Sequence, residues 1–297
     1  MKNGTIPFSV LMQIVENLTK VSTGTLRILM DGYSQKKGKY PDWLEKSVDF
    51  DLSALKPGST ILEVHAPKLQ DSITQAQLPL EFDNIKMDDV FKFSAIDLAM
   101  LAYEQAFSES GDVSLLDKPL LKDMQKFKGI FDNKEASFGI SGFGKKTVTL
   151  NKESFKKIKK LETKTAPSIK SRLTGKFDLM KHSNGLLEII TQNKKIRAFL
   201  TSTIDLHSIK DFFGEEVTLD GIAHFNPRGQ ISSFEVSKIR IADASDEYFK
   251  RIPSPISEQL QFMEIVKSQS YQGTKLNKVV GKWPGDDRIG DLLQLLD

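Results

Sequence analysis

Apolar and polar positions alternate strictly over residues 169–179. Ile169, Ser171, Leu173, Gly175, Phe177 and Leu179 fall on one side, with Lys170, Arg172, Thr174, Lys176 and Asp178 between them. A period of two marks a strand with one buried face, because successive side chains point to opposite sides of the pleat. Further strands follow in LLEIIT (186–191), KIRAFLT (195–201), EEVTLDGIAHF (215–225) and QISSFEVSKIRIAD (230–243), and a helical stretch, DLHSIKDFFG (205–214), separates the third strand from the fourth. That order of elements is the one expected of an OB-type five-stranded barrel. Gly175 stands where a long strand must bend to serve both halves of such a barrel.

The first half of the chain has a different rhythm. After Pro7, the residues Phe8, Leu11, Ile14, Val15 and Leu18 recur at helical spacing, and the pattern resumes at Leu26 and Leu29 beyond Gly24. Val48, Phe50 and Leu52 alternate with Asp49 and Asp51, then Lys56-Pro57-Gly58-Ser59 turns the chain into TILEV, which predicts a β-hairpin. Ser94 and Asp97 form a capping box ahead of a helix carrying Ile96, Met100, Tyr103 and Phe107. Pro119 starts another helix, with Leu120, Met124, Phe127 and Phe131. From about residue 135 the pattern becomes strand-like through Phe138, Ile140, Phe143, Val148 and Leu150, and Asn151 then caps the helix NKESFKKIKKLE. The fold class expected is α+β: an N-terminal α+β domain (1–134), an OB-like β-barrel domain with a preceding basic helix (135–250), and a C-terminal helical tail (251–297).

Composition narrows the chemistry. A chain of 297 residues can bury two cores, and 39% hydrophobic with 27% charged residues is ordinary for soluble proteins. Cysteine is absent, which excludes disulfides, thiolate catalysis and cysteine-containing zinc sites and fits a cytoplasmic setting. No stretch approaches the roughly 18 apolar residues of a membrane span. A net charge of +3 decides little, so the placement of charge matters more. Between Lys145 and Lys176 the lysines at 145, 146, 152, 156, 157, 159, 160, 164, 170 and 176, with Arg172, face only Glu153 and Glu162. Candidate nucleic-acid contacts are therefore Lys156, Lys160, Lys170, Arg172, Lys176 and Arg197. Phe199 shares a strand face with Lys195 and Arg197. It is either an exposed platform for base stacking, worth roughly 1 to 3 kcal/mol per base, or a side chain covered by the N-terminal domain or the basic helix. The acidic pair Glu215-Glu216 and the stretch Asp243–Glu247 would repel phosphate on their own flank.

Catalytic signatures are lacking. GISGFGKKT misses the phosphate-loop spacing, the four histidines (65, 182, 207, 224) show no metal-ligand spacing, and no GxSxG elbow occurs. Asp49, Asp51, Glu63 and His65 are the best hydrolytic set on offer, and a hydrated hairpin explains them equally well. The expectation is a protein without cofactor or metal that is not an enzyme.

The end of the chain is pointed: Trp283 precedes a Pro-Gly turn, and Leu292, Leu293, Leu295 and Leu296 follow Asp286 and Asp287. So short an amphipathic helix is unstable alone and needs a surface, its own or a partner's. Trp283, Leu292, Leu293 and Leu296 are the candidate partner contacts.

The runs PDWLEKSVDFDLSALKPGSTILEVHAP (41–67) and VTLDGIAHFNPRGQISSFEVSKI (217–239), with the terminal WPGDD, resemble a family of bacterial proteins encoded beside PIN-domain ribonuclease toxins. The WPGD ending is similar to that of some antitoxins, whose tails wrap the toxin while another domain binds operator DNA. The resemblance implies a nuclease toxin as partner for the tail residues. It does not extend to operator binding, because the chain is far longer and no ribbon-helix-helix or helix-turn-helix stands at its start.

Overall fold

The computed structural model describes residues 6–36, 40–56, 61–74, 90–108, 111–131, 137–142, 147–181, 185–201 and 203–255. The chain divides into two units, Met1–Pro255 and Ile256–Asp297, and all described residues belong to the first. The tail candidates Trp283, Leu292, Leu293 and Leu296, and the terminal helix expected around them, lie outside the described residues.

The helical layer begins with α1 (Phe8–Asp31), which runs unbroken through Gly24. A Cβ at Gly24 would lie 2.8 Å from Leu120 Cδ1, so the missing side chain lets another helix pack closely there. Helix α1 stops at Gly32, whose φ of 81° suits a left-handed cap and whose N–H bonds to Ile28 O. A short helix, α2 (Asp42–Ser47), follows where sequence periodicity gave no signal. The expected hairpin forms as β1 (Asp51–Lys56) and β2 (Ile61–His65). Ser94 and Asp97 close their capping box at the start of α3 (Ala95–Phe107). Asp117 caps α4 (Lys118–Met124), with Pro119 in the first turn. The hairpin β3 (Phe138–Ile140) and β4 (Val148–Leu150) leads to α5 (Lys152–Lys164), capped by Asn151.

Apart from the hairpin β1–β2, whose Leu52, Ile61 and Val64 are exposed, these elements share one core built on Leu26, Leu29, Leu98, Tyr103, Leu120 and Phe127. Ile140, Val148, Leu150, Phe155 and Ile158 belong to that same core. The hairpin and the basic helix, grouped with the barrel on sequence grounds, thus bury their apolar residues among the N-terminal helices. Helix α5 carries its apolar stripe toward α3 and α4 and leaves its lysines outside.

The second core fills a closed barrel with strand order β5 (Ile169–Lys181), β6 (Leu186–Thr191), β7 (Lys194–Leu200), β9 (Ile231–Ile241), β8 (Glu216–Phe225). All neighbours are antiparallel except β7 and β9, which run parallel through Ala198↔Phe234 and Leu200↔Val236. A short helix, α6 (Leu206–Ile209), comes between β7 and β8 and adds Ile209 to the barrel core. This topology is compatible with an OB-like fold.

Strand β5 pairs with β8 up to Lys176 and with β6 from Lys176 onward, so the handover falls beside Gly175 as the sequence suggests. A Cβ at Gly175 would sit 2.5 Å from Ile190 O, and one at Gly221 only 2.0 Å from Glu235 O. Both glycines allow the backbone approaches that close the barrel. No helix among the described residues is long and apolar enough to cross a membrane.

The helical layer meets the barrel where α1 ends. Ser233 Oγ donates to Gly32 O at 2.7 Å, and the Tyr33 ring stacks on His224 at 4.2 Å between centroids. Asp117, buried at the cap of α4, accepts from Ser34 N and Ser34 Oγ, both at 2.7 Å. Burial raises the Asp117 carboxyl above its usual range, and those hydrogen bonds oppose the rise.

Candidate nucleic-acid interface

The outer face of β5 is covered at its middle, around Arg172 and Thr174, and exposed at Lys170, Lys176 and Asp178. Residues Ala244–Lys250 form a 3-10 turn that packs on β5. Asp243 starts the turn with a capping box closed by Asp246. Asp246 is buried and accepts from Arg240 Nη2 at 2.6 Å and from Asp243 N at 3.0 Å. Those contacts, Arg240 first, hold its carboxyl down to about 2. Thr174 and Thr218 lie beneath, fully or almost fully buried, with their hydroxyls 2.8 Å apart.

Each predicted contact on β5 reads differently once the cover is in place. Arg172 is bound on two sides: Nε donates to Asp220 Oδ1 at 2.6 Å, and the guanidinium lies 4.7 Å from the Phe249 ring centre. Lys170 and Lys176 are exposed, and Lys176 faces Glu216 across the β5–β8 ladder. The acidic stretch expected on a separate flank is therefore the cover of the very strand expected to bind phosphate. Helix α5 is also partly neutralised, since Lys156 pairs with Glu153 at 2.7 Å and Lys159 pairs with Glu162. Lys160 is exposed on the same helix.

Phe199 does not serve as an exposed platform. It is only 2% exposed, and its ring lies against the end of α1, where a Cβ at Gly32 would come within 2.4 Å of Phe199 Cε2. Coverage by the N-terminal region, the other reading of this residue, is what the structure shows. The parity of the strand placed Phe199 on the outer face correctly, but the helix that covers that face is distant in sequence.

Arg197, the remaining candidate, lines a groove of about 650 Å³ together with Lys194 and Lys195. Residues of the 226–232 turn and 252–254 form further walls, and Ile28, Gly32 and Ser114 close it from the helical layer. Gln192 and Asn193, with φ of 48° and 59°, make the tight two-residue turn that brings these cations to the rim. The groove lining contains three cations and no carboxylate. Glu188, pairing with Lys195 at 3.5 Å, is the nearest opposing charge among the described ion pairs. The 226–230 turn is rigid: Asn226 Oδ1 accepts from Arg228 N at 2.9 Å and from Gln230 N at 3.1 Å. Ser232 Oγ is buried at the groove without a hydrogen-bond partner, an acceptor or donor open to a ligand or water.

Behind the groove, Ser168 Oγ and His224 Nδ1 lie 2.8 Å apart, and His224 Nε2 is 3.7 Å from Glu235 Oε2. The latter distance exceeds a hydrogen bond. With the Tyr33 hydroxyl, which bonds to Glu235, His224 holds that carboxyl below its usual range against the effect of burial. The Tyr33 ring lies flat on the imidazole and ties this cluster to the helical layer, so its clearest role is to join the two cores. No group of three or more His, Asp or Glu side chains among the described residues is arranged to hold a metal.

Lys194, Lys195, Gln230 and the 252–254 segment are not among the contacts predicted from sequence. The KK doublet that opens β7 is a visible signal, but the groove needs five segments far apart in sequence to exist. No family model, curated protein or solved structure matches the chain.

Proposed function

We propose that this chain is a non-enzymatic interaction protein whose OB-like barrel holds a nucleic-acid strand in the groove of Lys194, Lys195 and Arg197. The observation that carries this reading is the groove's lining: three cations and several amide or hydroxyl groups, with no carboxylate among them. A polyanion gains from such a surface by releasing its counterions, whatever its sequence. In barrels of this kind the second and third strands and the loop between the fourth and fifth are the usual binding face, which here corresponds to β6, β7 and the 226–230 turn. Lys170 and Lys176 contribute at most a weak flanking charge.

Fluorescence anisotropy with a short labelled single strand tests the reading. Lys194→Ala with Lys195→Ala should weaken binding about tenfold at low salt. An unchanged affinity in that variant, or no binding by the native chain at low salt, would falsify it.

Residues 282–297 are proposed, on their sequence alone, to engage a protein partner through Trp283, Leu292, Leu293 and Leu296, with a nuclease toxin as the partner of choice. Deleting the chain after Gly281 should abolish partner capture and leave strand binding intact. A pure protein-interaction scaffold is the alternative, and one observation favours it: Phe8, Met12 and Val15 expose an apolar stripe at the start of α1.

A further inference from the structure

A single-strand binder needs a flat ring for its bases as well as cations for its phosphates, because every base has a face to stack. Phe199 is buried and no aromatic residue lines the β7 groove. A second cavity, of about 640 Å³, lies on the other side of the β6–β7 turn. Gln192 lines both cavities, so they adjoin at that turn. In the second cavity the Tyr248 side chain is 71% exposed, among the most exposed large apolar or aromatic side chains described. The Arg251 guanidinium lies 5.7 Å from its ring centre, and Phe249 buttresses the ring edge-on at 5.6 Å. Lys176 also lines this cavity. The carboxylates beside it, Glu216 and Glu247, both pair with Lys250, at 2.9 and 2.8 Å, which lessens their repulsion of phosphate.

Resting on the groove reading above, we propose that Tyr248 is the base-stacking platform for a single strand whose phosphates lie along Lys194, Lys195 and Arg197. The 3-10 turn that packs on β5 thereby has a second role: it carries a ring to the cavity beside the β6–β7 turn. Two features support the assignment over a lone surface tyrosine. The ring is held by Phe249 on one edge and accompanied by a cation, and it stands in a cavity that shares Gln192 of the β6–β7 turn with the cationic groove. Stacking of this kind is tolerant of sequence, so the substrate class is single-stranded nucleic acid with little base preference.

The test compares a labelled oligothymidylate with an abasic deoxyribose-phosphate strand of equal length, using the full chain and its Tyr248→Ala and Tyr248→Phe variants. Tyr248→Ala should weaken the oligothymidylate about tenfold and change the abasic strand less than about twofold. Tyr248→Phe should match the native protein on both. The assignment is overturned if Tyr248→Ala leaves oligothymidylate binding unchanged, or if it weakens both strands equally. In either case, loss of affinity in the Lys194→Ala, Lys195→Ala protein would still uphold the groove. Absence of native binding to both strands overturns the groove and the platform together.

Discussion

Two faces of the same barrel carry clustered cations, and they differ in what lies on top of them. On β5, Arg172 is held by Asp220 and the Phe249 ring while the 244–250 turn buries the threonines below. On β7, Lys194 and Lys195 are exposed at the rim of an open groove. Local sequence makes the two strands look alike, since each alternates cations with apolar residues. A cation whose partner is already in the fold gains little from a phosphate, because the ligand must displace a formed ion pair. The two faces differ in degree: Arg172 is held by Asp220 at 2.6 Å and Lys195 by Glu188 at 3.5 Å, while the lining of the β7 groove holds no carboxylate, and that lining depends on contacts between distant segments.

The strongest way to break this contrast is to treat Phe199 as a surface residue. If it is a core side chain, Phe199→Ala should cost about 3 to 5 kcal/mol in urea unfolding. A loss below about 1 kcal/mol, together with a selective loss of strand binding, would restore it as an exposed platform and dissolve the difference between the faces.

Next in size is the salt response. Three phosphate contacts on a single strand predict a slope of about −2 for log affinity against log salt, or about twentyfold weaker binding between roughly 50 and 200 mM. Lys194→Ala with Lys195→Ala should flatten that slope by about 1.4. A native slope near zero would show that the groove holds no phosphate.

The cover on β5 should respond to acid. Asp246 is lowered from 3.8 to about 2, so its stabilising contribution is present above pH of about 4 and is lost as pH falls toward 2. Glu235 is shifted in the same direction, and its contribution also fades in acid. Thermal midpoints of the native protein should fall more steeply through this window than those of Asp246→Asn, in which the titrating group is gone. Parallel curves for the two proteins would mean that Asp246 does not anchor the turn.

The smallest expected effect is on β5 itself. Lys170→Ala should change strand affinity less than about twofold, since its side chain lines neither the β7 groove nor the Tyr248 cavity. A loss as large as that of the β7 variant would make the two faces equivalent.

The barrel could be read from the chain because its signals are local. Alternation over 169–179 and the helical stretch before β8 act within a few residues of themselves, and Gly175 marks the bend, whereas Gly221, which approaches Glu235 O, gave no signal in sequence. The placement of α5 could not be read, because its basic face is visible in sequence while the destination of Phe155 and Ile158 is not. Phe199 shows the same limit: parity sets which way it points, and the end of α1, over 160 positions earlier, sets whether it meets water. The acidic residues 243–247 were recognised as a patch, but only the capping box and the Arg240–Asp246 pair reveal that they fold onto β5.

The choice between the faces can be made residue by residue with amide chemical-shift mapping of the full chain during titration with a single strand at low salt. Shifts concentrated at 192–197, 226–232 and 248–254 are the predicted result. Shifts concentrated at 170–176, with the β7 rim silent, would contradict it.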